Sequence, residues 1–228
     1  MGFLRNLFHF DPVQTLYFVP IFLITIVVHE CAHGYIAYKL GDPTAKMLGR
    51  LTLNPLKHLD VIGFIVLIVA HFGWAKPVPI NPRNFKNPKK GLMISAIAGP
   101  ASNILMAIIG VIIFDILIIL ANMFKWNSNN MIAISALNFF NYFAVLNVYF
   151  AVFNLLPVPP LDGSRVVNYF LSPKLSYYYS YIERYGFIVV ILLLFTGILG
   201  IPLQIISGWI LNGIHFVFDS FFSLFGYR

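Results

Sequence analysis

Two histidines and a glutamate stand in a pattern that could bind a metal ion and hydrolyse a peptide bond. An otherwise apolar stretch contains His29-Glu30-Cys31-Ala32-His33, an H-E-x-x-H sequence. Histidines four positions apart lie on one face of an α-helix, so both imidazoles can reach one tetrahedral Zn²⁺ with the glutamate beside an attacking water. Ionisable groups inside an apolar helix are costly and indicate function by default. The pattern predicts His29 and His33 as metal ligands and Glu30 as the catalytic base. The alternative is two interior histidines that bond to neighbouring helices, with the glutamate as their partner.

Two histidines do not complete a catalytic zinc site, which needs a third protein ligand and an open position for water. Glutamate is scarce, since Glu183 is the only one besides Glu30. Asp162 is the better candidate, because it follows a segment with three prolines and precedes a glycine, where regular helix cannot form. Non-helical backbone at membrane depth is tolerated only where it is buried in protein or lines a cavity. The alternative is that Asp162 caps a helix beginning near Ser164.

Two asparagines are candidates for contacts to the oxyanion or to the substrate. The tetrahedral oxyanion of amide hydrolysis needs a hydrogen-bond donor besides the metal, and a side-chain amide can supply one. Asn103 and Asn154 both lie in apolar stretches of the chain. For each, the alternative is a hydrogen bond between helices of a bundle.

The composition assigns these residues to a membrane protein. Of 228 residues, 59% are hydrophobic and 10% are charged, and the mean hydropathy is +0.82. A soluble domain carries about a quarter charged residues. The net charge of +7 could indicate nucleic acid, but the fifteen Lys and Arg residues lie in short loops between apolar stretches. We interpret them as determinants of topology and contacts to lipid headgroups. We expect a single membrane-embedded domain over 1–228, with no nucleic-acid partner.

Apolar stretches close to membrane-spanning length must position this chemistry. A spanning helix needs about 20 mostly apolar residues. Five stretches approach or exceed that length, and a sixth, at 59–72, is shorter. The five cover 15–40, 91–123, 131–156, 185–200 and 203–225. The sequence therefore predicts an all-α polytopic membrane protein, a bundle of about five to six membrane helices with one short re-entrant helix.

The positive charges predict which way the bundle faces. Segments 39–58 and 73–90 hold four and five Lys or Arg residues, and they would lie on opposite sides if 59–72 crossed the membrane. Cytoplasmic loops collect Lys and Arg. We therefore predict that 59–72 is a re-entrant or buried helix and that both loops face the cytoplasm. The alternation at 50–53 and the proline-rich loop also allow a small β-hairpin in the 46–90 region.

Two separated motifs together resemble one known family. Residues 29–33 and the later sequence Asn154-x-x-Pro157-x-x-x-Leu161-Asp162-Gly163 are similar to the site-2 protease family of intramembrane zinc metalloproteases. Residues 99–103 resemble a further element of this family, in the intervening helix. Segments 41–63 and 73–77 resemble its compact prokaryotic branch, without PDZ or other regulatory domains. The resemblance covers roughly residues 15–185.

The resemblance implies roles for four residues and a substrate class. His29, His33 and Asp162 would bind one zinc ion per chain, and Glu30 would be catalytic. The substrate would be a transmembrane protein, cleaved within or near the bilayer in regulated intramembrane proteolysis. The protein would be multi-pass in a prokaryotic plasma membrane, with its active site near the cytoplasmic side. Two alternatives stay open: a metal or proton transporter that uses the H-E-x-x-H helix as a relay, and a catalytically silent membrane scaffold of the same family.

Overall fold

The computed structural model describes residues 12–70, 73–126 and 130–223, and the elements in these ranges are helical. Four helices are long and apolar enough to cross a membrane, which confirms the all-α polytopic fold. In chain order the helices are α1 Pro12–Lys39, α2 Thr44–Met47, α3 Val61–Ala70, α4 Pro88–Met123, α5 Met131–Asn154, α6 Asp162–Phe170, α7 Pro173–Glu183, α8 Gly186–Phe195 and α9 Gly200–Ser223. The four of spanning length are α1, α4, α5 and α9.

Helix α8 is shorter than the apolar stretch predicted at 185–200. Its 10 residues rise about 15 Å, half the thickness of the hydrocarbon core. Gly197 ends it by taking a positive φ of 71°, a left-handed conformation that closes many helices and costs glycine little. The described residues therefore hold four helices of spanning length, against the five to six predicted.

Helix α4 lies at the centre of the bundle and packs against both α1 and α5, while α9 packs against α5. One apolar cluster joins the three central helices through Ile21 of α1, Met106 of α4 and Phe143 of α5. Small residues allow close approach between membrane helices. At Gly110 an added Cβ would lie 3.0 Å from the Phe143 ring. The central helices thus form a tight frame that can hold side chains in fixed positions.

Helix α3 forms the re-entrant element predicted for 59–72. Its 10 residues rise only about 15 Å. The segments that precede and follow this helix lie side by side, because Leu59 and Ala75 form an antiparallel bridge. Gly63 permits this return, since a Cβ there would lie 2.3 Å from the carbonyl oxygen of Trp74. The chain therefore returns close to where the helix starts, as a re-entrant element requires, and that the segment does not cross the membrane stays a prediction.

The two basic loops, 39–58 and 73–90, pack against each other at one end of the bundle. The Arg50 guanidinium donates to the Lys76 carbonyl at 2.7 Å. The Asp42 carboxylate accepts from the Asn81 N–H at 2.7 Å. These contacts place both loops at one end of the bundle, as the prediction requires, and the side of the membrane that this end faces stays a prediction.

The β-hairpin that the sequence allowed in 46–90 does not form among the described residues, where the bridge between Leu59 and Ala75 is isolated. Its absence has a physical reason in the later segment. Pro77 and Pro79 have no N–H to donate to a strand ladder. The carbonyl of Pro77 instead accepts from the Arg50 guanidinium at 3.2 Å. A side chain therefore takes the place that a partner strand would occupy.

Candidate metal centre

The candidate site lies where α1, α4 and the first turn of α6 meet. His29 and His33 stand one turn apart on α1 and are 3% and 7% exposed. Asp162 is the first residue of α6, which follows the proline-rich connection from α5. Gly163 lets that turn pack closely on the end of α5, because a Cβ there would lie 2.1 Å from the Leu155 carbonyl oxygen. The backbone thus brings the carboxylate to the face of α1 that carries both histidines.

Three potential ligand atoms converge at this point. The Nε2 atoms of His29 and His33 are 2.9 Å apart, and Oδ2 of Asp162 lies 3.1 Å and 3.2 Å from them. Among the described residues, no other set of three His, Cys, Asp or Glu side chains has ligand atoms this close together. Ligand atoms at about 2.0–2.1 Å from a tetrahedral zinc ion are separated from one another by about 3.3 Å. The donor set therefore fits zinc in both chemistry and spacing.

Hydrogen bonds on the far side of each imidazole direct its free lone pair to the centre. Nδ1 of His29 donates to Oδ1 of Asn103 at 2.5 Å, and Nδ1 of His33 donates to the Ser95 carbonyl at 2.7 Å. Because a carbonyl oxygen can only accept, each ring carries its proton on Nδ1. Oδ2 of Asp162 is buried and has no hydrogen-bond partner. Three lone pairs thus face one another at about 3 Å, an arrangement that a cation stabilises.

A chain of buried amides fixes the orientation of His29. Nδ2 of Asn103 donates to Oδ1 of Asn147 at 3.0 Å, and Nδ2 of Asn147 donates to the Phe143 carbonyl at 2.8 Å. Both asparagines are fully buried. The amide nitrogen of Asn103 is thereby engaged, and its oxygen faces His29. The structure places Asn103 behind the metal ligand, not in the position of an oxyanion donor considered from the sequence.

A glycine on α4 makes room for the two imidazoles. A Cβ at Gly99 would lie 2.5 Å from Nε2 of His33 and 2.6 Å from Cε1 of His29. No residue with a side chain fits there unless the ligands move. The histidines therefore rest directly on the backbone of α4.

The convergent atoms border a cavity of about 170 Å³. Glu30 and Asn154 line it together with the ligand residues, and so does Arg165. Oε2 of Glu30 accepts from the Val78 N–H at 2.7 Å, so this carboxylate borders the cavity outside the convergent set. One N–H of the Asn154 amide donates to the Phe150 carbonyl at 2.9 Å, and an amide has a second donor. The cavity thus combines a metal-binding wall, a carboxylate and a side-chain amide.

Three contributors to the site were not predicted from the sequence: Asn147, the Ser95 carbonyl and the Val78 N–H. Asn147 carried a sequence indication, because an amide inside an apolar membrane helix usually bonds to another helix. The two backbone groups carried none, since every residue type except proline offers the same N–H and carbonyl.

Comparisons with known proteins identify the family. The model of Peptidase family M50 matches residues 115–196. Over 190 residues the chain is 42% identical to the "Putative zinc metalloprotease YwhC" of Bacillus subtilis (strain 168), with 83% of this chain and 85% of that protein aligned. The chain belongs to peptidase family M50. This M50 protein is also 28% identical to Rip2 of Mycolicibacterium smegmatis and 23% identical to Rip2 of Mycobacterium tuberculosis (strain H37Rv). Each Rip2 alignment covers 92% of this chain and 78% of the relative, and both relatives carry the same zinc metalloprotease description as YwhC. A search of solved structures finds no significant match.

Family membership confirms the resemblance to site-2 proteases. The M50 chain is a zinc metalloprotease, and its four helices of spanning length make it a membrane protein. Zinc is accordingly its metal cofactor, and the His29, His33 and Asp162 cluster is a candidate site for it. The transporter alternative loses its support, because the relatives are named as proteases.

Proposed function

We propose that this M50 protease hydrolyses peptide bonds of transmembrane proteins within or near the bilayer, in regulated intramembrane proteolysis. His29, His33 and Asp162 hold the zinc ion, and Glu30 is the general base. The observation that carries this proposal is the convergence of three ligand atoms beside a carboxylate, in one cavity between membrane helices. His29 lies ten residues before the end of α1 at Lys39, about 15 Å along the helix axis. A peptide bond that reaches this centre is therefore cleaved at membrane depth.

The metal site, Glu30 and Asn154 have separate roles in the hydrolysis. Bound zinc would supply a Lewis acid that polarises the scissile carbonyl and favours ionisation of the attacking water. Glu30 takes the proton from that water and delivers it to the leaving amine. Its carboxylate is free for this task because it lies outside the convergent ligand set. Asn154 donates its second amide N–H to the developing oxyanion.

The end of the bundle that carries both basic loops faces the cytoplasm of a prokaryotic cell, and its lysines and arginines contact anionic lipid headgroups. Support comes from the enrichment of cytoplasmic loops in Lys and Arg and from the packing of the two loops on each other. Single cysteines introduced at positions 57 and 86, which are exposed and lie one in each basic loop, test this orientation in a Cys31→Ser chain. A membrane-impermeant thiol reagent added outside intact cells should label neither position, and labelling of both would reverse the orientation.

Two substitutions test the assignment of the site. Glu30→Gln should keep about one zinc per chain and lower cleavage of a membrane-protein substrate by at least about 100-fold, because general base catalysis contributes about 10²–10⁴-fold. Asp162→Ala should lose both zinc and cleavage, because a catalytic site needs three protein ligands. Glu183→Gln, which changes the other, exposed glutamate, is the matched control and should retain both.

Purified protein in detergent or liposomes gives both readouts, metal content and fragment formation. Full cleavage by purified Glu30→Gln would overturn the assignment of the base. Stoichiometric zinc without cleavage in the unaltered chain would favour the silent scaffold that the sequence left open.

A further inference from the structure

The Glu30 carboxylate is held by a backbone group of an unusual tripeptide. Oε2 of Glu30 accepts from the Val78 N–H at 2.7 Å, and Val78 stands between Pro77 and Pro79. Because proline has no N–H, the Val78 N–H is the only backbone donor of this tripeptide. A hydrogen bond from a backbone N–H to a carboxylate is charge-assisted and about twice as strong as a neutral one. The position of Glu30 therefore depends on where the backbone at Val78 lies.

A buried arginine fixes that stretch of backbone. The Nη2 atom of Arg50 donates to the carbonyl of Lys76 at 2.7 Å and to the carbonyl of Pro77 at 3.2 Å, the two carbonyls that immediately precede Val78. Arg50 is only 9% exposed. The Lys76 N–H in turn donates to the His58 carbonyl at 2.8 Å. Burying a guanidinium is costly unless its donors are used. Nη2 is used on the segment that carries the Val78 N–H, while the buried Nε has no hydrogen-bond partner.

We propose that Arg50 is a positioning residue for catalysis, which holds the Val78 N–H against the Glu30 carboxylate by fixing the two carbonyls before it. This inference rests on the proposed role of Glu30 as general base. A group that takes and returns a proton must keep its position relative to the substrate, since a displacement of about 1 Å can lower the rate about 10²-fold. Arg50 acts on the rate through the backbone of Lys76 and Pro77.

The proposal predicts a specific pattern in the kinetics of zinc-loaded protein. Arg50→Gln should lower kcat about tenfold, the effect of weakening one hydrogen bond to a charged group, while KM stays within about twofold and zinc content is unchanged. Val78→Pro, which removes the N–H itself, should lower kcat by a similar factor. The double variant should also lose about tenfold and not about a hundredfold, because both changes break the same link. Arg50→Lys, which keeps one set of donors on a flexible stem, should lose about threefold.

Arg83→Gln is the matched control, because it removes the same charge from an exposed residue of the 73–90 loop, which also carries Val78, and its kcat should equal that of the unaltered chain. The proposal is overturned by multiplicative losses in the double variant, by an unchanged kcat in Arg50→Gln, or by loss of zinc or a raised KM instead of a lowered kcat. If Arg50→Gln does not fold, the same criteria apply to Arg50→Lys paired with Val78→Pro. Failure of the proposed function looks different, because Glu30→Gln would then retain its activity.

Discussion

Replacing Gly99 with alanine should remove zinc from a protein that is otherwise folded. The added methyl group would lie 2.5 Å from Nε2 of His33 and 2.6 Å from Cε1 of His29. Ordinary van der Waals contacts of a Cβ begin at about 3.4 Å, so the rings must move by close to 1 Å. Zinc-ligand distances tolerate changes of only about 0.2 Å. Loss of a group that merely orients a ligand costs about 10–100-fold in metal affinity, so direct displacement of both rings should cost at least about 100-fold.

The assay is competition for zinc between a chromophoric chelator and detergent-solubilised protein, with the melting temperature measured in parallel. Alanine is favoured over glycine in a helix by about 1 kcal/mol, so the Gly99→Ala helix should remain formed. Gly208→Ala is the control, because nothing lies within 4 Å of the position its Cβ would occupy. Zinc affinity within about threefold of the unaltered chain for Gly99→Ala would refute the close fit of the imidazoles on α4.

Two further substitutions test the support of the site and of the loops. Asn103→Leu removes the acceptor for the Nδ1 proton of His29 and should weaken zinc binding about 10–100-fold; unchanged affinity in the chelator assay would exclude the orienting role. Burial by itself raises the pKa of Asp42, but hydrogen bonds from the Thr44 hydroxyl, the Asn84 amide and neighbouring backbone N–H groups lower it overall. A carboxyl whose pKa is lowered by folding stabilises the fold at any pH above its ordinary pKa of 3.8. This stabilisation is lost as the pH falls below about 4. Asp42→Asn should therefore be less stable at pH 7, by about 2 kcal/mol, with a melting temperature that varies less between pH 5 and pH 3; an equally steep acid loss would contradict it.

The sequence predicted most of the metal centre because its ligands follow local rules. Histidines four apart share a helix face whatever surrounds them, and a carboxylate after three prolines must lie outside regular helix. The structure brings these residues together, and their roles as ligands stay a prediction, as does the single domain over 1–228. The charge count also predicted the re-entrant α3, because the positive-inside rule depends on loop composition alone.

The rest depended on tertiary contacts that no local pattern specifies. From the sequence, Asn103 could face the cavity or a neighbouring helix. Its amide bonds to Asn147, 44 positions away, and no local pattern indicates that contact. The sequence shows the prolines on both sides of Val78, but it does not indicate that the Val78 N–H bonds to Glu30. The hairpin was ambiguous because alternation predicts a strand only where the backbone groups remain available for pairing.

The zinc ligand set itself can be measured by X-ray absorption at the zinc edge of purified Glu30→Gln protein. Two imidazole nitrogens and one carboxylate oxygen at about 2.0–2.2 Å are expected, and Asp162→Ala prepared in the same way should hold no stoichiometric zinc. A sulfur ligand at about 2.3 Å, which only Cys31 and the methionines could supply, or stoichiometric zinc with an unchanged spectrum in Asp162→Ala, would contradict the proposed metal site.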